Sequence, residues 1–144
     1  MKTFVLTVSE YFPKTHNKSG LPTGFPLAIK HYEKIHTIRG NYELWAKRIK
    51  QIQDGEAVLS VRVWSGKPYN SKQIEIFRYD NTHGIGIQKL SNPRNFLHAT
   101  IEGKHINWDV VAKNDGLSFN DFCEWFKDAK DEPMAVIHFT DFRY

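Results

Sequence analysis

Hydrophobic and polar positions alternate in short blocks along this chain, and turn residues separate the blocks. Phe4, Leu6 and Val8 fall on one face and Val5 on the other, which predicts a strand over residues 3–8. Residues 11–26 carry three prolines and two glycines and predict a long irregular loop, a candidate basic flap bearing Lys14, His16 and Lys18. A short helix over Leu27–Tyr32 leads into strand-like residues 34–39. Asn41 then stands where it can cap a helix over Tyr42–Gln53, with Leu44, Trp45, Ile49 and Ile52 as its buried stripe. Asp54-Gly55 ends that helix, Gly55 being free to take a positive φ. Clean alternation over Ala57–Trp64 sets Leu59, Val61 and Val63 against Ser60 and Arg62. Further strands are predicted at Gln73–Tyr79, Ile85–Leu90, Phe96–Glu102 and Met134–Phe142. A short helix at Ile106–Ala112 precedes a second, opened by Ser118-x-x-Asp121 and striped by Phe119, Phe122, Cys123 and Phe126.

This element order predicts an α+β fold in a single domain spanning residues 1–144. Short strands with few crossover helices argue against a doubly wound parallel sheet. A small mixed or antiparallel β-barrel with flanking short helices fits better. The 144 residues are 40% hydrophobic and 14% aromatic, which excludes a disordered chain. Cys123 is the only cysteine, so no intrachain disulfide forms, and its place on an apolar stripe predicts a buried structural thiol. No apolar run approaches the roughly 20 residues of a membrane span, and the N-terminal apolar stretch is too short for a signal peptide. The expectation is a cytoplasmic protein with no membrane partner.

Charge adds a hint about partners. Residues 1–78 hold 13 Lys/Arg and 6 Asp/Glu, whereas residues 79–144 hold 7 and 10. A basic half attracts polyanions such as RNA. Trp64, Lys67, Tyr69 and Lys72 interleave rings and ammonium groups in one turn, a pattern suited to stacking bases and neutralising phosphates. The seven histidines show no metal-ligand spacing, and Gly84-Ile-Gly86 is followed by strand-like residues instead of a helix, so no metal or cofactor is expected.

The most informative stretch is Lys34-Ile-His-Thr37-Ile-Arg39, followed by Gly55-Glu56 before a strand. It resembles the signature of the ASCH family of the PUA-like superfamily, Gly-x-Lys-x-x-(Glu or Thr)-x-Arg and then Gly-Asp. Tyr32 stands in place of the signature glycine, and Asp115-Gly116 with the aromatic-rich segment to Phe126 is similar to the family's second conserved region. The resemblance implies a PUA-like β-barrel with a cleft beside the signature strand, and an RNA or modified-nucleoside ligand. One branch of the family hydrolyses the amide of acetylcytidine. By resemblance Lys34 and Thr37 match that branch's first two residues, and Asp115 stands near its acid, one methylene shorter.

A threonine hydroxyl needs a base, and a buried lysine beside a cation such as Arg39 can be one. Asp115 would then protonate the leaving amine. Lys34 and Thr37 point to opposite faces of a regular strand, so they cooperate only if Lys34 lies in the turn entering it. Thr37 and Arg39 share a face. Lys30, Lys34, Arg39, Lys47, Lys67 and Lys72 are expected to border one concavity. Replacing Lys34 or Thr37 by alanine is expected to leave the thermal midpoint nearly unchanged. Three readings follow: a nucleoside- or RNA-binding domain, an amidohydrolase with Lys34, Thr37 and Asp115 as its catalytic set, or a module that docks an acidic protein.

Overall fold

Eleven elements follow the order that the hydrophobic pattern predicts, in a computed structural model that describes residues 1–144. They are β1 (Lys2–Thr7), α1 (Phe25–Lys30), β2 (His36–Arg39), α2 (Tyr42–Gln53), β3 (Ala57–Trp64), β4 (Gln73–Tyr79), β5 (Gly86–Ser91), β6 (Thr100–Ile101), α3 (Trp108–Asn114), α4 (Phe119–Trp125) and β7 (Met134–His138). The fold is mixed α+β. Its strands hydrogen-bond as two sheets, β1-β3-β4 and β2-β7-β5-β6, and not as one closed ring.

In the first sheet β1 runs parallel to β3, from Lys2 opposite Ala57 to Thr7 opposite Arg62. A parallel pair needs a crossover, and α1, β2 and α2 supply it. β3 and β4 are antiparallel, with a register shift after Val61 that leaves Ile76 without a partner. The second sheet is antiparallel throughout. β7 lies between β2 and β5, so Ile137 sits opposite both Thr37 and Ile87. That central place explains why Ala135, Val136, Ile137 and His138 are all fully buried.

The two sheets share one hydrophobic cluster of 25 buried residues. α2 contacts β3, β5 and β7, so it closes one side of both sheets, and Trp45, Ile49 and Ile52 are its buried stripe. Tyr79 of β4 stacks nearly parallel on Phe139, just beyond β7, at 5.1 Å between ring centres, tying one sheet to the other.

Four local expectations need correction. The strand expected over Met134–Phe142 ends at His138. Residues 96–102 form only the two-residue β6, because Asn92 turns the chain at φ +58° and the segment to Ala99 is held by local turns back to Asn92 and Asn95. Leu44 and Phe119 are each 39% exposed and lie at the edges of their stripes. Cys123 is half-buried and not a core thiol.

The 11–24 loop is an ordered structure of its own. Tyr11 bridges Pro22, Phe12 is buried, and the buried His16 ring contacts the main-chain oxygen of Asp121 at 3.0 Å. Lys18 pairs with the Asp121 carboxylate at 2.8 Å. The loop is therefore fastened to α4, which sets where its first residues stand relative to the site.

Candidate functional site

The site begins with a strained bend between α1 and β2. The main-chain oxygen of Ala28 accepts the N–H groups of both Glu33 and Lys34, at 2.8 and 3.0 Å. To reach that oxygen the chain turns through Tyr32 at φ +58°, the left-handed region that glycine ordinarily occupies. Lys34 thus lies in the bend before β2 and not on the strand. The Ile35 N–H then bonds the oxygen of Asn114 at 2.9 Å and ties the bend to the end of α3.

From β2, Thr37 and Arg39 point to one side and His36 and Ile38 to the other. Asp115 closes α3 as its C-cap, and Gly116 follows at φ +82°. A side chain at Gly116 would stand 3.3 Å from both the Lys34 Cβ and the Phe25 ring, so the position needs glycine for conformation and for space. This turn brings Asp115 under the bend. Ser118, not Asp115, caps α4 through the Asp121 N–H.

Lys34, Thr37, Arg39 and Asp115 line one pocket with Val8, Ser9, Phe25, Ile38, Leu117, Trp125 and Phe126. The four polar residues expected from the sequence therefore meet. The Lys34 Nζ donates to the Asp115 Oδ1 at 2.9 Å and to the Asp115 main-chain oxygen at 2.7 Å, and it lies 4.3 Å from the centre of the Phe25 ring. Lys34 is 2% exposed and Thr37 4%. Arg39 donates to the oxygen of Thr7 at 2.6 Å, so β1 fixes its guanidinium. Thr37 lines the pocket beside Lys34 and Arg39.

Burial pushes the Lys34 ammonium below its ordinary range, and the nearby Arg39 charge adds to this, against the opposing pull of Asp115. Burial also drives the Asp115 carboxyl upward, but the Lys34 charge and the His36 hydrogen bond outweigh it and hold the group below its usual value. Asp115 is thus an ionised acceptor. The expectation that it protonates a leaving amine is corrected: its carboxylate holds Lys34. Alanine at position 34 would strand a buried carboxylate, so it is expected to cost stability and not to be thermally silent.

The pocket is narrow, with about 10 Å³ of space, enough for one water. It adjoins a larger cleft of about 450 Å³ that shares Val8 and Ser9 as a wall. That cleft runs along residues 7–14 to Trp64, Gly66, Pro68 and Tyr69. Trp64 and Tyr69 pack as a tilted pair with ring centres 5.1 Å apart, and Tyr69 is 87% exposed at φ +64°. Lys67 and Lys72 are exposed on the same turn but line neither pocket, and neither do Lys30 and Lys47. The single rim of six basic residues does not form; Lys14 is the lysine that the cleft holds.

Behind the pocket lies a polar group that sequence reasoning missed. His36 contacts the Asp115 Oδ1 through Nδ1 at 3.2 Å and the Tyr144 phenol through Nε2 at 2.6 Å. Burial pushes its pKa down. The only signal for it was its place between Lys34 and Thr37, on the opposite face of the strand. Nothing in the pattern marked Tyr144, Asn114 or Gln88. No three His, Cys, Asp or Glu side chains converge as metal ligands. No family model, curated protein or solved structure matches this chain.

Proposed function

We propose that the protein is an amidohydrolase of the ASCH type, acting on the acylated amine of a modified nucleoside such as acetylcytidine. The observation that carries this reading is the convergence of Lys34, Thr37 and Arg39 with Asp115, from the far end of the chain, on one buried pocket. The two sheets and short helices are, in this reading, a variant of the PUA-like barrel. The left-handed Tyr32 supports it, because the backbone there takes the shape for which the family's signature glycine is suited.

The chemistry follows from the donors. The resting Lys34–Asp115 pair is ionic, and the reacting form is the deprotonated amine, which burial of Lys34 makes easier to reach; it has two N–H groups and one lone pair. Asp115 engages Lys34 at two oxygens, so the lone pair is the part left free. It takes the proton of Thr37 as the hydroxyl oxygen bonds to the acyl carbon. Arg39 stabilises the oxyanion that forms. The carbon–nitrogen bond then breaks, and the departing amine takes the proton from Lys34. Water, activated by the same amine, cleaves the threonine ester and releases the carboxylic acid. The nucleoside itself sits in the 450 Å³ cleft, within the usual size of ligand sites, with its base against Trp64 and Tyr69. The acyl group reaches the narrow pocket past Val8 and Ser9, the residues that line both cavities.

Incubation with acetylcytidine, followed by chromatography for cytidine, tests this. Wild type should release cytidine, Thr37→Ala should abolish release, and Thr37→Ser should retain part of it. An inactive wild type overturns the hydrolase.

A second reading, binding of RNA or a modified nucleoside without turnover, is favoured by the small volume of the inner pocket beside an aromatic cleft. Its mark is affinity for single-stranded RNA that falls as salt rises and is lost in Trp64→Ala.

A further inference from the structure

Tyr144 is joined to the site through two layers of hydrogen bonds. Its main-chain N–H donates to the Gln88 Oε1 at 2.9 Å, and the Gln88 Nε2 donates to its main-chain oxygen at 3.0 Å. This clamp fixes the backbone independently of the side chain. The phenol oxygen accepts from the Asn114 Nδ2 at 3.1 Å and lies 2.6 Å from the His36 Nε2.

We propose that Tyr144 is a positioning residue that sets the tautomer of His36, and through it the way Asp115 holds Lys34. Asn114 can only donate from its amide nitrogen, so the phenol proton is free to point at the His36 Nε2. Nε2 is then the acceptor and Nδ1 carries the hydrogen, which it donates to the Asp115 Oδ1 at 3.2 Å. The reverse tautomer sets the Nδ1 lone pair against a carboxylate with no proton between them, a buried clash of acceptors. Burial raises the Tyr144 phenol pKa, so it remains a donor, and burial keeps His36 neutral. The charged and titratable groups around His36 are Lys34 from its own segment, Asp115 from the end of α3, His138 from β7 at 5.5 Å between rings, and Tyr144 itself. None but Tyr144 and Asp115 bonds the His36 ring.

The Asp115 Oδ1 accepts from both His36 and Lys34. Removing the phenol proton source leaves Nε2 without a donor. With Nδ1–H still held by Asp115, His36 then takes a second proton at Nε2 at higher pH than in wild type, and that charge alters the field at Lys34. The catalytic consequence rests on the amidohydrolase reading; the tautomer does not.

The test uses Tyr144→Phe, which keeps the ring and the Gln88 clamp. Long-range ¹H–¹⁵N spectra between about pH 5 and 8 read the His36 tautomer directly. Wild type should show neutral imidazole with the hydrogen on Nδ1, and the variant a loss of that single form. The turnover profile of the variant should shift by roughly one pH unit with little change in KM. A wild-type hydrogen on Nε2 overturns the proposal, and so does an unchanged Nδ1–H form in the variant. If Tyr144→Phe does not fold, the wild-type spectrum alone decides. If wild type turns over no substrate, the hydrolase reading fails while the spectra still settle the role of Tyr144.

Discussion

Lys34 and Asp115 form a buried ion pair, and such pairs are asymmetric in their energetics. Both side chains are almost fully enclosed, at 1% and 5% exposure. Removing one partner leaves the other charge buried and uncompensated, which costs about 3–5 kcal/mol, whereas replacing both by apolar groups is often close to neutral. Lys34→Met should therefore lower stability by about 3–5 kcal/mol in urea unfolding, and Lys34→Met with Asp115→Leu should recover part of that loss. A single-variant cost below about 1 kcal/mol would mean that the pair is solvated and the pocket open. Lys34, Thr37 and Arg39 were legible in the sequence because together they resemble a family signature that fits on one short segment. Asp115 was legible only as an acid before a glycine. Its role as an acceptor follows from the two donors that meet it, which spacing along the chain cannot convey.

The helices show how local chemistry sets boundaries. α2 runs over Tyr42–Gln53, and β3 and β4 over Ala57–Trp64 and Gln73–Tyr79, the spans that the hydrophobic pattern predicts. Strong periodicity and clear punctuation by Asn41, Gly55 and residues 65–72 account for this. The start of α2 is unusual. Asn41 accepts the Leu44 N–H at 3.3 Å while holding φ +59°. Asparagine tolerates that conformation and alanine does not. Asn41→Ala should cost about 1–2 kcal/mol from lost capping and backbone strain. Asn41→Gly should cost only a few tenths, since glycine relieves the strain and is an acceptable cap. Thermal melts of the two variants check this, and equal losses would argue against strain at Asn41. Residues 96–102 misled the pattern because Phe96 packs on the rings of Trp108 and Phe122 at 4.9 and 5.0 Å. An apolar residue fixed by side-chain packing looks, in sequence, like one fixed in a strand.

Across the whole molecule, the buried polar groups make stability depend on pH. His138 is fully buried, its Nε2 bonds the Gln88 Oε1 at 2.9 Å, and its Nδ1 has no partner. Burial, the largest cause, with a smaller contribution from the Arg143 charge, lowers its pKa to about 3. The unfolded chain protonates this group near its ordinary 6.5, while the folded chain resists until about 3, so stability falls as pH drops through that window. The loss from His138 alone should reach about 2 kcal/mol by pH 5. His36, also lowered by burial, adds to it in the same direction. Asp115 adds a further loss at more acid pH, as its depressed carboxyl is protonated. Lys34 works at the other end, where its lowered pKa makes stability rise as pH climbs towards 10.5. Urea midpoints measured from pH 8 down to pH 5 test the acid limb. His138→Gln should flatten it, and a wild-type midpoint unchanged at pH 5 would contradict the burial of these histidines.

The Lys34–Thr37–Arg39 segment was legible only through its resemblance to a family signature; what the sequence determined by itself was local: the α+β class, the order of elements, and most strand and helix limits. These depend on periodicities of two and 3.6 residues and on turn chemistry, all readable within a few residues. Tertiary structure alone decided that the strands divide into two sheets, because pairing β1 with β3 and β2 with β7 joins residues far apart in the chain. It alone moved Lys67 and Lys72 away from the pockets and seated Lys14 in the cleft, since the charge of a residue says nothing about which way its loop faces. It alone joined Tyr144, Gln88 and Asn114 to His36, because a hydrogen bond between distant residues depends on donors and acceptors meeting in space, and neither partner carries a mark of the other in the sequence.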